Sequence, residues 1–181
     1  MCARSWSIRA VLGLALAIAA ASVPPASSAV YGVQAPASAG AATETRHLTL
    51  TTSATPPAAT AARRVVLNVD VALKPKMHVY APDQPKDQDY MPIVLTVAPN
   101  RAYQLVEKPR YPPSEKLFFA PLKETQHVYS KPFRVAQPII LTGDVVREPL
   151  TITGTVRYQA CDDAICYVPQ TVAVKWIVPV Q

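Results

Sequence analysis

Nineteen of the 181 residues are proline and only five are glycine. A proline inside a helix removes a backbone donor and clashes with the preceding turn, whereas turns and strand ends accept it. At about twice the usual share of proline, the chain is poor material for long helices and reads as short strands between turns. Half of the residues are hydrophobic and 17% are charged, so wholesale disorder is excluded. The length suits one domain with a real core. A helical bundle, a multi-domain enzyme and a multispanning membrane protein are disfavoured. The formal charge of +6 arises from 18 basic and 12 acidic residues without a long basic run, which does not argue for a nucleic-acid partner.

Arg4 and Arg9 precede an apolar stretch from Ala10 to Val23, followed by Pro24-Pro25 and the small-residue run Ala26-Ser27-Ser28-Ala29. That order of charged, apolar and cleavable segments predicts a secretory signal peptide over residues 1–29, cut after Ala29, with a site nearer Ala21 as the alternative. The apolar run is short for a bilayer span, which needs roughly 20 residues, so no stable membrane insertion is expected after cleavage. The expected product is a soluble, exported protein. Its loss of Arg4, Arg9 and Cys2 leaves 16 basic against 12 acidic residues, a charge of +4. Two cysteines remain, Cys161 and Cys166, and in an oxidising compartment that is the arithmetic of one disulfide.

Residues 30–44 are small and nearly uncharged and read as a flexible leader to a domain over 45–181. From there β-type runs alternate with punctuation: 46–51, 64–73, 77–80, 93–97, 103–106, 128–135, 139–141, 151–158 and 171–178. Lys74-Pro75-Lys76 breaks one run, and residues 81–90 form a polar loop. No stretch sustains a helical period and no internal repeat is present. The pattern predicts an all-β fold, an antiparallel β-sandwich, with a small barrel as the competing architecture.

The informative segment is Val156 to Pro169, in which strand-like residues flank the link between Cys161 and Cys166. If the flanks pair as a hairpin, the two cysteines face each other across its neck, and modest adjustment closes a disulfide. A bridge this local constrains little of the unfolded chain, roughly 2 kcal/mol against nearly 5 for a loop of about 100 residues. Fastening is thus one reading. The other is exchange, because a hairpin bridge at a surface loop is within reach of a partner thiol. Asp162 and Asp163 beside Cys161 disfavour a thiolate there and should raise the thiol pKa.

Tyr158-Gln159-Ala160-Cys161 through Cys166-Tyr167-Val168-Pro169 resembles the active-site hairpin of the N-terminal periplasmic domain of the DsbD thiol:disulfide interchange family. Lys74 to Pro82 and Tyr111-Pro112-Pro113 fit the same family, and the likeness covers about residues 45–181. The resemblance implies an immunoglobulin-like sandwich that relays reducing equivalents through Cys161 and Cys166, with Cys166 attacked first. It implies thioredoxin-fold periplasmic oxidoreductases as partners, cytochrome c maturation proteins among them, and a membrane thiol reductase as a donor. It places Phe118 and Phe119, within Leu117-Phe118-Phe119-Ala120, in a cap loop over the disulfide, and Tyr80 and His78 at the border of the site. Two departures stand out. Well-known members separate their cysteines by five residues, not four, and continue into a membrane region and a thioredoxin domain. With the chain stopping at Gln181, a stand-alone domain is expected, which must meet its reductant by diffusion or do something else.

No cofactor is expected. His47, His78 and His127 are scattered, and Met77-His78 and Met91 invite a copper reading, but no histidine closely follows Cys166 as a blue-copper site requires. No metal site is expected. Hydrolase motifs are absent, and adjacent Asp162-Asp163 cannot flank a scissile bond. The alternative function is a non-catalytic secreted binding module whose bridge merely ties a hairpin.

Overall fold

The computed structural model describes residues 42–56, 63–85, 88, 90–142 and 149–179. The expected signal segment, 1–29, and residues 30–41 of the expected leader lie outside the described residues. The described chain is all strand: β1 (Ala42–Glu44), β2 (Leu48–Thr55), β3 (Arg64–Leu73), β4 (His78–Tyr80), β5 (Val94–Val97), β6 (Tyr103–Leu105), β7 (Glu115–Phe119), β8 (Glu124–Tyr129), β9 (Phe133–Leu141), β10 (Leu150–Tyr158), β11 (Ala160–Cys161) and β12 (Gln170–Val178). They form three antiparallel sheets, ordered β1-β2-β3-β9-β6, β12-β10-β5 and β11-β4-β8-β7.

The alternation in the sequence sets the layers. Leu48, Leu50 and Ala54 of β2 and Val65, Leu67, Val69 and Val71 of β3 turn inward. They share one core with Ile152 and Val156 of β10 and Val174, Trp176 and Val178 of β12. Each large aliphatic side chain so buried contributes about 1.5–3 kcal/mol. Two hydrogen bonds tie the facing sheets: the Trp176 indole N–H donates to the Asn68 carbonyl at 2.8 Å, and the Thr52 hydroxyl donates to the Lys175 carbonyl at 2.7 Å. Gly154 is required where β10 passes β5, because a Cβ there would lie 2.6 Å from the Thr96 carbonyl oxygen and 3.1 Å from the Trp176 ring. The result is an immunoglobulin-like antiparallel sandwich, not a closed barrel.

Three expectations need correction. The last residues of the expected leader, Ala42–Glu44, are β1, since extending along the edge of β2 needs only backbone groups, and the Lys74 ammonium pairs with the Glu44 carboxylate. The run expected over 128–135 is two strands, broken at Ser130-Lys131-Pro132, and 124–127 belongs to the first of them. Conversely β9 continues through Pro138. The Pro138 carbonyl faces Val106 just beyond β6, so its missing N–H points to that side too and no bond to β3 is lost.

Glycine scarcity shows in the turns: Arg63, Lys76 and Lys123 occupy the left-handed region, at φ 53°, 65° and 55°. Tyr111-Pro112-Pro113 is pinned to the sandwich, its Tyr111 hydroxyl accepting the Leu95 N–H at 2.9 Å and the Pro112 carbonyl accepting the Tyr129 hydroxyl at 2.7 Å. That anchoring delivers the chain into β7.

Candidate functional site

β10 leaves its sheet after Tyr158, and β11 joins the third sheet beside β4, with Cys161 opposite His78 and Ala160 opposite Val79. The chain turns over Asp162–Ile165 and returns, so that Cys166 faces Cys161. Hydrogen bonds flank the pair on both sides: Asp162 N–H to the Ile165 carbonyl at 2.9 Å, and Tyr167 N–H to the Ala160 carbonyl at 2.8 Å. The cysteines therefore form the non-hydrogen-bonded pair, where facing strands approach most closely. Their Cα atoms are 4.0 Å apart and their sulfurs are joined as a disulfide. The hairpin neck expected from the sequence is thus present. Its two sulfur-bearing residues are unequal: Cys161 has no exposed surface, whereas Cys166 is partly exposed.

β4 supplies the floor of the site, and all three of its residues are buried. The Tyr80 hydroxyl lies 3.1 Å from Cys166 Sγ and 3.3 Å from Cys161 Sγ. With the cysteines oxidised neither sulfur carries a proton, so Tyr80 is the donor. Its ring stacks on Tyr90 at 4.4 Å, nearly parallel at 12°, and the Tyr90 hydroxyl donates to the Glu124 carboxylate. Burial, with the Tyr90 phenol next in effect, pushes the Tyr80 pKa up to about 12. His78 points to the same side, its ring edge-on to Tyr80 at 6.5 Å. Burial lowers its pKa despite the opposing pull of Asp163 and Asp162, so at neutral pH the imidazole offers no cation to a thiolate.

The β7–β8 hairpin closes the site from the other side. Alternation along β7 divides the two phenylalanines that the sequence places together. Phe119 is buried, with its ring 6.2 Å from that of His78. Phe118 faces solvent, 62% exposed, near the hairpin tip that also carries exposed Leu122. The side chain that packs with the cluster of Tyr80, Val128 and Cys161 is Leu117, alongside Tyr90 and Cys166. Tyr90 and Val128 carry no mark in the sequence, and Leu117 enters it only as part of the cap loop Leu117-Phe118-Phe119-Ala120. The period-2 pairing of Leu117 with Phe119 across Phe118 is the signal that was available for Leu117.

Asp162 is held inside the turn. Its Oδ1 accepts the N–H groups of Ala164 and Ile165 at 2.8 and 2.9 Å, and its Oδ2 accepts the Tyr167 hydroxyl at 2.7 Å. These bonds, that of Tyr167 first, hold its pKa down to about 2. Asp163 is exposed at the turn. A full negative charge therefore stays beside Cys161 at every working pH, the arrangement that disfavours a thiolate. Ile165 and Val168, on either side of Cys166, are exposed apolar residues, Val168 at 83%. Among the described residues no three His, Cys, Asp or Glu side chains gather as metal ligands, and no helix is long and apolar enough to cross a membrane.

Comparison with known proteins places this geometry. Among solved structures, the N-terminal periplasmic domain of ScsB from Proteus mirabilis aligns with a TM-score of 0.52 at 14% identity, over 77% of this chain and 51% of that one. The chain thus spans about half the length of that structure, and the likeness is one of fold. The N-terminal domain of Neisseria meningitidis DsbD in its reduced form aligns with a TM-score of 0.40 at 22% identity, over 62% of this chain and 77% of that one. No curated protein sequence matches the chain. Residues 45–176 match the family described as thiol:disulfide interchange protein DsbD, N-terminal. Because that match takes in most of the chain and includes both cysteines of the hairpin, the protein belongs to the family of DsbD N-terminal domains.

Proposed function

We propose that the protein is a periplasmic thiol–disulfide exchange carrier that relays two electrons at a time between thioredoxin-fold partners through Cys161 and Cys166. The observation that carries this reading is the disulfide at the neck of a short hairpin, with Cys166 partly exposed, Cys161 buried and one phenol touching both sulfurs. A partner thiolate attacks Cys166 Sγ along the axis of the bridge. The Cys161–Cys166 bond breaks as the mixed disulfide forms, and Cys161 departs as a thiolate that then takes up a proton. The partner's second thiolate attacks its own sulfur in the mixed disulfide and releases Cys166, which is protonated in turn. The pair gains two electrons and two protons, and the partner's dithiol becomes a disulfide. The reverse sequence delivers the electrons onward to an oxidised thioredoxin-fold protein. A membrane thiol reductase is the donor class that fits a carrier working outside the cytoplasm, and residues 1–29 are its export signal.

The measurement that decides between carrier and staple is the reduction potential of the pair, read by equilibrating the protein with dithiothreitol mixtures and alkylating free thiols. A carrier gives a value above about −300 mV, within reach of periplasmic dithiols. A value below that marks a structural bridge and leaves a secreted binding module in its place.

In this reading the β7–β8 hairpin is the cap. Leu117 and Phe119 form its inner side, and Phe118 presents an exposed ring to the arriving partner. Leu117→Ala removes the side chain packed with the sulfur cluster, and reduction by a small dithiol should quicken about three- to tenfold, since access contributes to the rate of exchange. Stopped-flow reduction of the oxidised variant tests this, and an unchanged rate removes Leu117 from the cap.

A further inference from the structure

Successive residues of a strand point to opposite faces. Cys161 and Cys166 share one face of the hairpin. Asp162 and Tyr167, each one position further along, share the other. There the Tyr167 hydroxyl donates to Asp162 Oδ2 at 2.7 Å and so joins the two arms diagonally on the reverse of the disulfide. The donor is well seated. Its ring lies 4.5 Å from that of His47, the Arg46 guanidinium sits over it at 5.4 Å, and its carbonyl accepts the Gln159 side-chain amide at 3.1 Å. The acceptor is equally fixed, because its other oxygen caps the turn through Ala164 and Ile165.

We propose that Tyr167 is a positioning residue of the redox pair, which through Asp162 holds the hairpin arms together once the disulfide is broken and thereby sets the reduction potential. In the oxidised protein the sulfur–sulfur bond fixes the neck on its own. In the dithiol the reverse-face bond remains across the same neck, and it keeps the thiols at a high mutual concentration. Coupling of this kind is reciprocal: a contact that favours the close approach of the arms favours the disulfide, and closing the disulfide strengthens the contact. Because Asp162 stays ionised at any working pH, the clamp is a charge-assisted bond throughout the range in which partners operate. The inference rests on the carrier reading for its biological use, but the coupling is measurable without it.

The test compares the wild type with Tyr167→Phe, Asp162→Asn and the double variant, each equilibrated with dithiothreitol mixtures. Phenylalanine keeps the ring on His47, and asparagine keeps an oxygen for the turn N–H groups. Tyr167→Phe should weaken the disulfide about five- to tenfold, a rise of roughly 20–30 mV for a two-electron couple. Asp162→Asn should move the potential in the same direction, and the double variant should go no further than the larger single change. An unshifted Tyr167→Phe, or shifts that add in full, would overturn the clamp. If Tyr167→Phe fails to fold, Asp162→Asn alone decides, and an unshifted potential again overturns it. A wild-type potential below the carrier range sinks the proposed function and leaves these differences to be read. Unshifted variants sink the clamp and leave the carrier standing.

Discussion

Cys161→Ser is expected to capture a thioredoxin-fold partner as a stable mixed disulfide, and Cys166→Ser is expected to capture none. The asymmetry follows from burial. Exchange requires the attacking sulfur, the attacked sulfur and the leaving sulfur to lie nearly in line, with room for the partner behind the attacked one. Cys166 is partly exposed between Ile165 and Val168, whose apolar surfaces can seat a partner. Cys161 has no exposed surface, pairs with His78 of β4, and packs with Tyr80, Val128 and Leu117. With Cys161 absent, Cys166 can join a partner and nothing resolves the bond. With Cys166 absent, the remaining thiol is out of reach. Both variants should lose at least about a hundredfold in relay rate, because each removes a bond-forming atom. Non-reducing electrophoresis with a partner that lacks its second cysteine reads the outcome. Capture by Cys166→Ser instead would reverse the order of attack, and capture by neither would argue against a carrier.

The same contrast explains what could be read from the sequence. The strand over 64–73 and the hairpin neck were legible because their residues alternate and their turns carry the usual markers. The β7–β8 hairpin was legible only as a region. Tyr111-Pro112-Pro113 and Pro121 make residues 111–121 look like a proline-punctuated loop, yet β7 lies between those prolines and pairs with β8 through Phe119↔Glu124. The turn between them is marked by Lys123 in the left-handed region, where a reader expects glycine or asparagine. The period-2 pattern puts Leu117 and Phe119 on one face of β7, but only the sheet order β11-β4-β8-β7 shows that this face, and not that of Phe118, is the one shared with the sulfur cluster. Tyr90 and Gln126 are the hardest case. Gln126 is fully buried, against the ordinary preference of its type, and only the meeting of β8 with β4 brings it beside the Tyr80 and Tyr90 phenols. Likewise Asp162 reads from the sequence as a charge beside a thiol. The structure adds that the same carboxylate also caps the turn and accepts the Tyr167 hydroxyl.

Tyr80→Phe should slow exchange about tenfold to a hundredfold while leaving the fold intact. When a partner attacks Cys166, the electrons of the broken bond go to Cys161, which becomes an anion in a fully buried position beside the permanent charge of Asp162. His78, the neighbour that could have been a cation, does not help, because burial holds it neutral and among the described residues its Nε2 has no hydrogen-bond partner. The donor at hand is the Tyr80 hydroxyl, 3.3 Å from the departing sulfur. A hydrogen bond to a charged group contributes about 1.5–3 kcal/mol, which corresponds to a rate factor of about ten to a hundred. Phenylalanine preserves the stack on Tyr90, so the loss falls on the hydroxyl. The pH dependence separates this role from general acid catalysis. With its pKa pushed up to about 12, well above the roughly 8.5 of an ordinary thiol, the phenol keeps its proton while the thiolate forms and solvates the charge without being consumed. The slowing in Tyr80→Phe should therefore be constant from about pH 6 to about pH 10, the usual phenol range, while both proteins speed up as the attacking thiol ionises. A deficit that shrinks as the pH approaches 10 would mean the wild-type phenol ionises in that range, and a variant exchanging at the wild-type rate would mean the buried thiolate is stabilised by some other group.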